Sequence, residues 1–272
     1  KKALLLSAAA LLLAVSCTRR PVRPAFGTVS VDTLLGDSGA GCRIEYRFAT
    51  ILNAAESPAL QAVEQANIRY FFQTGEQTGS VREAIAAAVR EVDTIYTADI
   101  RPTQSYEISV EAEGSVQDSL LTYVITRSSY TGGAHGIYET EYHTYSLAKG
   151  YEITTADLFT EEQAERLDEL ILRKLCRQYG ARNEEELAAQ GFFPEQIGAT
   201  ENFRIAPEGI VFCYNPYDIG CYALGAVEVT VSREELDEAE RKGYGHPDSP
   251  ENGGHTLPLS GGRGLNNPKE FH

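Results

Sequence analysis

Tyr106-Glu107-Ile108-Ser109-Val110-Glu111-Ala112 and, beyond Gly114, Leu121-Thr122-Tyr123-Val124-Ile125 place an apolar side chain at every second position. That period belongs to a strand with one face on a core and the other toward water. Gly114 is expected to turn the chain between the two runs. Thr131-Gly132-Gly133-Ala134-His135-Gly136 breaks the pattern again, and Tyr138, Tyr142 and Tyr145 follow on a further strand. The three segments predict an antiparallel meander.

Upstream, Ile44, Tyr46 and Phe48 alternate within Arg43–Thr50 as another half-buried strand. Ser57-Pro58 opens a helix whose inner face is Leu60, Val63, Asn67, Tyr70 and Phe71, with Gly75 ending the region. Ser80 and Glu83 form a capping box ahead of Val81, Ile85, Ala88, Val89, Val92, Ile95 and Tyr96 at helical spacing, and Pro102 stops what remains. Downstream, Thr160 with Gln163 opens a helix carrying Leu167, Leu170, Ile171, Lys174 and Leu175, stopped by Gly180. Asn183 with Glu186 caps a short helix. Phe203–Ile205 and Ile210–Tyr214 are strands around a Pro207-Glu208-Gly209 turn. Val227, Val229 and Val231 alternate in a last strand, and Ser232 with Glu235 caps a final helix. The order predicts an α+β fold of antiparallel sheets with helices packed on one side. It divides into an N-terminal α+β domain over 42–147 and a C-terminal one over 148–240. Residues 241–272, rich in Gly, Pro and polar types, are expected to be a disordered tail.

The start of the chain carries an address. Lys1-Lys2 precede an apolar run ending in Leu11-Leu12-Leu13-Ala14-Val15-Ser16-Cys17. The run is about fifteen residues, short of the roughly 20 a spanning helix needs and suited to a cleaved leader. We expect 1–17 to be a lipoprotein signal peptide with Cys17 lipidated, a simple signal-peptidase site being the alternative. Residues 18–41, with Pro21 and Pro24, then read as a flexible tether. The expected location is the cell envelope, as an inner- or outer-membrane lipoprotein facing the periplasm or the exterior and held to the membrane by its lipid. The formal net charge of −15 disfavours nucleic acid and suits a cationic partner.

Cys42, Cys176, Cys213 and Cys221 remain. An oxidising compartment permits two disulfides, for which Cys213–Cys221 across a turn-rich loop and Cys42–Cys176 are expected, with free thiols as the alternative.

Chemistry-bearing motifs are sparse. There is no GxSxG and no phosphate-binding glycine loop, and no catalytic residue, cofactor or metal is assigned. Candidate ligand-binding residues are Tyr130 and His135 at the glycine-rich break, and Tyr217 and Asp218 in Asn215-Pro216-Tyr217-Asp218. Tyrosine joins an apolar face to a polar tip and suits contact surfaces. The enzymatic alternative puts His135, Glu139, Glu141 and His143 on one face by the two-residue period, as a cell-wall hydrolase or zinc site near His135.

Two stretches are familiar: Tyr130–Gly136 followed by Gly150-Tyr151-Glu152-Ile153-Thr154-Thr155-Ala156-Asp157-Leu158-Phe159, and Phe203–Gly209 followed by Phe212–Gly225. In this order they resemble the paired extracytoplasmic domains of the lysozyme-sensing anti-sigma-V factor, also found beside the catalytic domain of a peptidoglycan deacetylase. The likeness covers roughly residues 42–236. The deacetylase's Asp/His metal motifs are absent here. The resemblance implies a non-catalytic module of unknown biochemical activity that binds a lysozyme-like protein or cell-wall glycan.

Overall fold

A computed structural model describes residues 20–36, 41–73, 79–98 and 105–241. The leader and Cys17, residues 37–40 of the expected tether, Gly75, Pro102 and residues 242–272 of the expected tail lie outside the described residues. Strands β1 (Phe26–Leu35), β2 (Cys42–Ile51), β3 (Tyr106–Gln117), β4 (Leu120–Tyr130) and β5 (Ile137–Ser146) form one sheet in that order. Helices α1 (Pro58–Phe72) and α2 (Val81–Ala98) lie between β2 and β3 in sequence. The short helix α3 (Thr155–Leu158), α4 (Glu161–Gln178) and α5 (Glu184–Ala188) follow. A second, three-stranded sheet is built from β6 (Phe203–Ala206), β7 (Gly209–Tyr214) and β8 (Val227–Ser232), and α6 (Arg233–Arg241) ends the described chain. Mixed α+β is the class, as expected.

The meander β3–β4–β5 is antiparallel throughout, but β2 and β3 pair in parallel, so the larger sheet is mixed. A parallel neighbour needs a long crossover, and α1 and α2 supply it. Both helices cover the face that carries Ile44, Tyr46, Phe48, Val110, Ala112, Leu121, Tyr123 and Ile125. A separate core gathers Leu167, Ile171 and Leu175 of α4 with Ile210, Phe212, Val229 and Val231. The capping boxes at Ser80/Glu83, Thr160/Gln163 and Ser232/Glu235 all form. Asn183 caps α5, but Glu186 turns to the Arg182 amide instead of completing a box.

Three sequence expectations are corrected. Residues 26–35, assigned to the tether, form β1, paired antiparallel along the whole of β2. Val29, Val31, Thr33 and Leu35 are half-buried against exposed Thr28, Ser30, Asp32 and Leu34, a strand period obscured by the flanking prolines and glycines. Gly114 is not a turn. It sits inside β3 opposite Tyr123, where a Cβ would come within 2.4 Å of the Phe26 ring. The turn is made by Asp118, at φ 54, and Ser119. The four cysteines of the described chain are free thiols. Cys42 belongs to the first core, and Cys176 packs against the second. Cys213 points to the face of β7 that carries Val211, while the Cys221 sulfur lies against Gly191 beside Phe192 of the other core, so the expected pairs do not meet.

Candidate functional site

The break between β4 and β5 and the Asn215–Gly225 segment come together in one corner. Tyr222 is its centre. Its hydroxyl donates to Gly136 O at 2.7 Å, which ties the second sheet's loop to the first residue of the β5 approach. His135 stacks on the Tyr222 ring at 3.9 Å and 19°. Tyr217 lies 5.6 Å from the same ring and Tyr138 meets it edge-on at 6.2 Å. Tyr130, whose hydroxyl donates to Gly133 O, lines the same cleft as Tyr138 and Tyr222. Of the residues expected to bind a ligand, Tyr130, His135 and Tyr217 are thus assembled. Asp218 is used otherwise: its carboxylate accepts from Asn215 N at 2.7 Å and closes the turn.

That turn has a cost. Asp218 N donates to Asn215 O at 3.0 Å, Pro216 occupies the second position, and Tyr217 in the third has φ 79. This is the type II pattern, whose third position favours glycine. A tyrosine there is strained, and the residue is 53 % exposed. Strain of this kind persists only where surrounding structure imposes it, and it concentrates at functional sites.

A second constellation was not legible as such. Glu139, Glu141 and His143 do share one face of β5, as the strand period requires, but His135 is in the preceding loop, about 20 Å or more along the strand from His143. His143 lies between two carboxylates, with Nδ1 2.7 Å from Glu152 Oε1 and Nε2 3.4 Å from Glu141 Oε2. Its ring stacks on Tyr70 of α1 at 3.8 Å, and the Tyr70 hydroxyl donates to Glu152 at 2.7 Å. Arg127 pairs with Glu141 at 3.0 Å and donates to the carbonyls of Tyr70 and Phe71 at the end of α1. Burial opposes the imidazolium, yet the two carboxylates outweigh it and raise the His143 pKa above its ordinary value. Burial likewise opposes ionisation of Glu141, and His143 with Arg127 overcomes it, holding that carboxyl below the usual range. Burial, then the bond to Glu152, pushes the Tyr70 phenol up to about 12.

The sequence signal for this network was Arg127, which continues the inward parity of Leu121, Tyr123 and Ile125 on an otherwise apolar face. Tyr70 and Glu152 carried no such signal. Chemically, every strong donor and acceptor of the network is spent on another member or on helix carbonyls. Among the described residues no group of three or more His, Cys, Asp and Glu side chains is placed to hold a metal ion. Nor is any helix there long and apolar enough to cross a membrane.

Residues 156–234 match the model of a family described as a protein of unknown function (DUF3298). Among solved structures the chain resembles a member of that family from Bacteroides fragilis, with 25% identity and a TM-score of 0.71 over 80% of this chain and 94% of that one. It also resembles a DUF3298 family protein from Pseudomonas aeruginosa, with 14% identity and a TM-score of 0.60 over the same shares. No curated protein matches. The structural likeness extends well beyond the matched segment, so the chain shares a DUF3298-type fold across both of its sheets, and the family whose model it matches over 156–234 is one of unknown function.

Proposed function

We propose that this protein is a non-catalytic recognition module of the cell envelope, held to the membrane by lipid on Cys17, with the Tyr217–Tyr222–His135 corner as its contact surface. The observation that carries this reading is Tyr217: an exposed ring held in a backbone conformation that favours glycine. Core packing gives no reason to keep a tyrosine there, because the residue is more than half exposed and its ring meets Tyr222 on one side only. A contact surface does give one. The His143 network supports the non-catalytic part, since its groups neutralise one another and His143 is only 12 % exposed.

The partner we propose is a lysozyme-like protein. Such a protein is cationic, and the −15 charge of the chain would steer it. Titrating the full chain with egg-white lysozyme should give saturable binding that weakens with salt and falls at least tenfold in Tyr217→Ala. Absence of saturable binding at low salt removes this partner. Cell-wall glycan is the second reading, favoured by the hydroxyl- and ring-lined cleft beside Tyr222. The anchor has its own test: incorporation of a labelled fatty acid in the native chain and its loss in Cys17→Ala.

A further inference from the structure

The strand register lays two rows of side chains across the face of the larger sheet that the helices leave open. In the first, Glu45 of β2 lies beside Ser109 of β3, Ser109 beside Ser128 of β4, and Ser128 beside Tyr138 of β5. In the second, two residues along, Arg43 lies beside Glu107 and Glu107 beside Tyr130. The rows are separated by about 7 Å, and four strands span about 14 Å. Together with Tyr222 from the second sheet's loop they line a cleft of about 490 Å³, within the size range of small-molecule sites.

Each part of the cleft has a definite chemistry. The two serines are short, so the floor drops between Glu45 and Tyr138, and each hydroxyl both donates and accepts. Tyr138, 41 % exposed, and Tyr222 supply ring surface at the β5 end. The positive charge is spent internally: Arg43 pairs with Asp32 at 3.0 Å and with Glu45 at 2.7 Å. One arginine against Glu45 and Glu107 leaves the two rows without a free cation, which disfavours phosphate, sulfate or uronate groups. What remains is an elongated slot with hydroxyl and carboxylate acceptors on its floor and aromatic faces at one end. That combination matches a molecule with many hydroxyls on its rim and C–H bonds on its ring faces.

We infer that this cleft is a binding site for a neutral oligosaccharide, laid across the strands from Glu45 toward Tyr138 and Tyr222. The inference rests on the recognition-module reading and supplies the ligand chemistry of the face beside Tyr217. The sugar's hydroxyls bond to Ser109, Ser128, Glu45 and Glu107, and a terminal ring stacks on tyrosine. The cross-strand length fits several linked sugars better than one.

The full chain should be titrated with two neutral probes, maltotetraose and tetra-N-acetylchitotetraose, following sugar proton shifts by NMR. Saturable binding of either probe, with upfield shifts of ring protons and little dependence on salt, is expected. The probe that binds identifies whether acetamido groups are read. Tyr138→Ala and Ser128→Val should each weaken binding at least fivefold with circular dichroism unchanged. Failure of both probes to bind, or binding indifferent to both substitutions, overturns the inference. Lysozyme binding that survives such a failure would leave the recognition-module reading standing, because that contact is read through Tyr217 and is salt-dependent.

Discussion

Asn202 acts on Tyr142 as a substitute strand. Its Oδ1 accepts from Tyr142 N at 2.9 Å, and its Nδ2 donates to Thr140 O at 2.8 Å. Asn215 does the same one step away, accepting from Thr140 N at 2.8 Å. β5 is the edge of its sheet, and a bare edge is a template for unwanted pairing. Two asparagines from the second sheet's unit cover it at Thr140 and Tyr142, Tyr151 and Ile153 pair with its Thr144–Ser146 end, and Tyr142 packs against Ala206, Val211 and Cys213. Asn202→Ala should therefore destabilise the protein by about 1–3 kcal/mol, the cost of leaving partly buried backbone groups unpaired. It should also promote concentration-dependent association. Urea unfolding and light scattering check this, and a change under 0.3 kcal/mol with no association would show the contacts to be incidental.

Stability should depend on pH through His143. Its folded pKa is raised above 6.5, so its stabilisation is fully present below that value and is lost as pH rises through the folded pKa. Glu141 has the opposite sign: its folded pKa lies below 4.5, so its contribution is present above 4.5 and is lost as pH falls through the lowered value. The network is strongest in the window between. His143→Gln should cost about 1–3 kcal/mol near pH 6, where charge-assisted bonds are lost, and much less near pH 9. Unfolding free energies of both proteins at the two pH values decide it. An equal difference at both would mean that the imidazolium contributes nothing.

Tyr217→Gly should raise stability by about 1 kcal/mol, because glycine adopts the positive φ without strain. Tyr217→Ala keeps the backbone strain and should not stabilise. Both should lose partner binding equally. Thermal melts of the two variants separate relief of strain from loss of the ring, and a Gly variant no more stable than the Ala variant would refute the strain argument.

Thiol accessibility tests the absence of disulfides. Burial, and then the Glu228 carboxylate, push the Cys213 thiol up to about 12, and burial raises Cys42 as well. Thiols held protonated and covered do not alkylate. Iodoacetamide should modify Cys42 and Cys213 only after unfolding, with Cys176 and Cys221 reacting first. Peptide mapping that finds any of the four linked to another would restore a pairing read from the sequence.

The Gly114 contact is testable by size alone. A methyl group there meets the Phe26 ring, itself edge-on to Tyr123 at 5.9 Å. Gly114→Ala should cost about 1–3 kcal/mol through overpacking, and Phe26→Leu should relieve part of it. A double-mutant cycle on thermal unfolding measures the coupling, and strict additivity would mean the two do not touch.

Local order was written in the sequence. The two-residue period at Ile44–Phe48, Tyr106–Ala112 and Val227–Val231 and the boxes at Ser80/Glu83 and Thr160/Gln163 announced strands and helices, because side-chain spacing and capping bonds are decided within a few residues. Partners distant along the chain were not. Which strand lies beside β2, why Gly114 must be glycine, and why Arg127 stands among apolar residues depend on what packs across from each. Tyr70 and Glu152 meet at His143, and Glu45, Ser109, Ser128 and Tyr138 line up in one row, only because the sheet's register and the placement of α1 bring them there. Register and docking are settled by the burial of whole faces. No residue encodes them alone, so the site had to come from the tertiary structure.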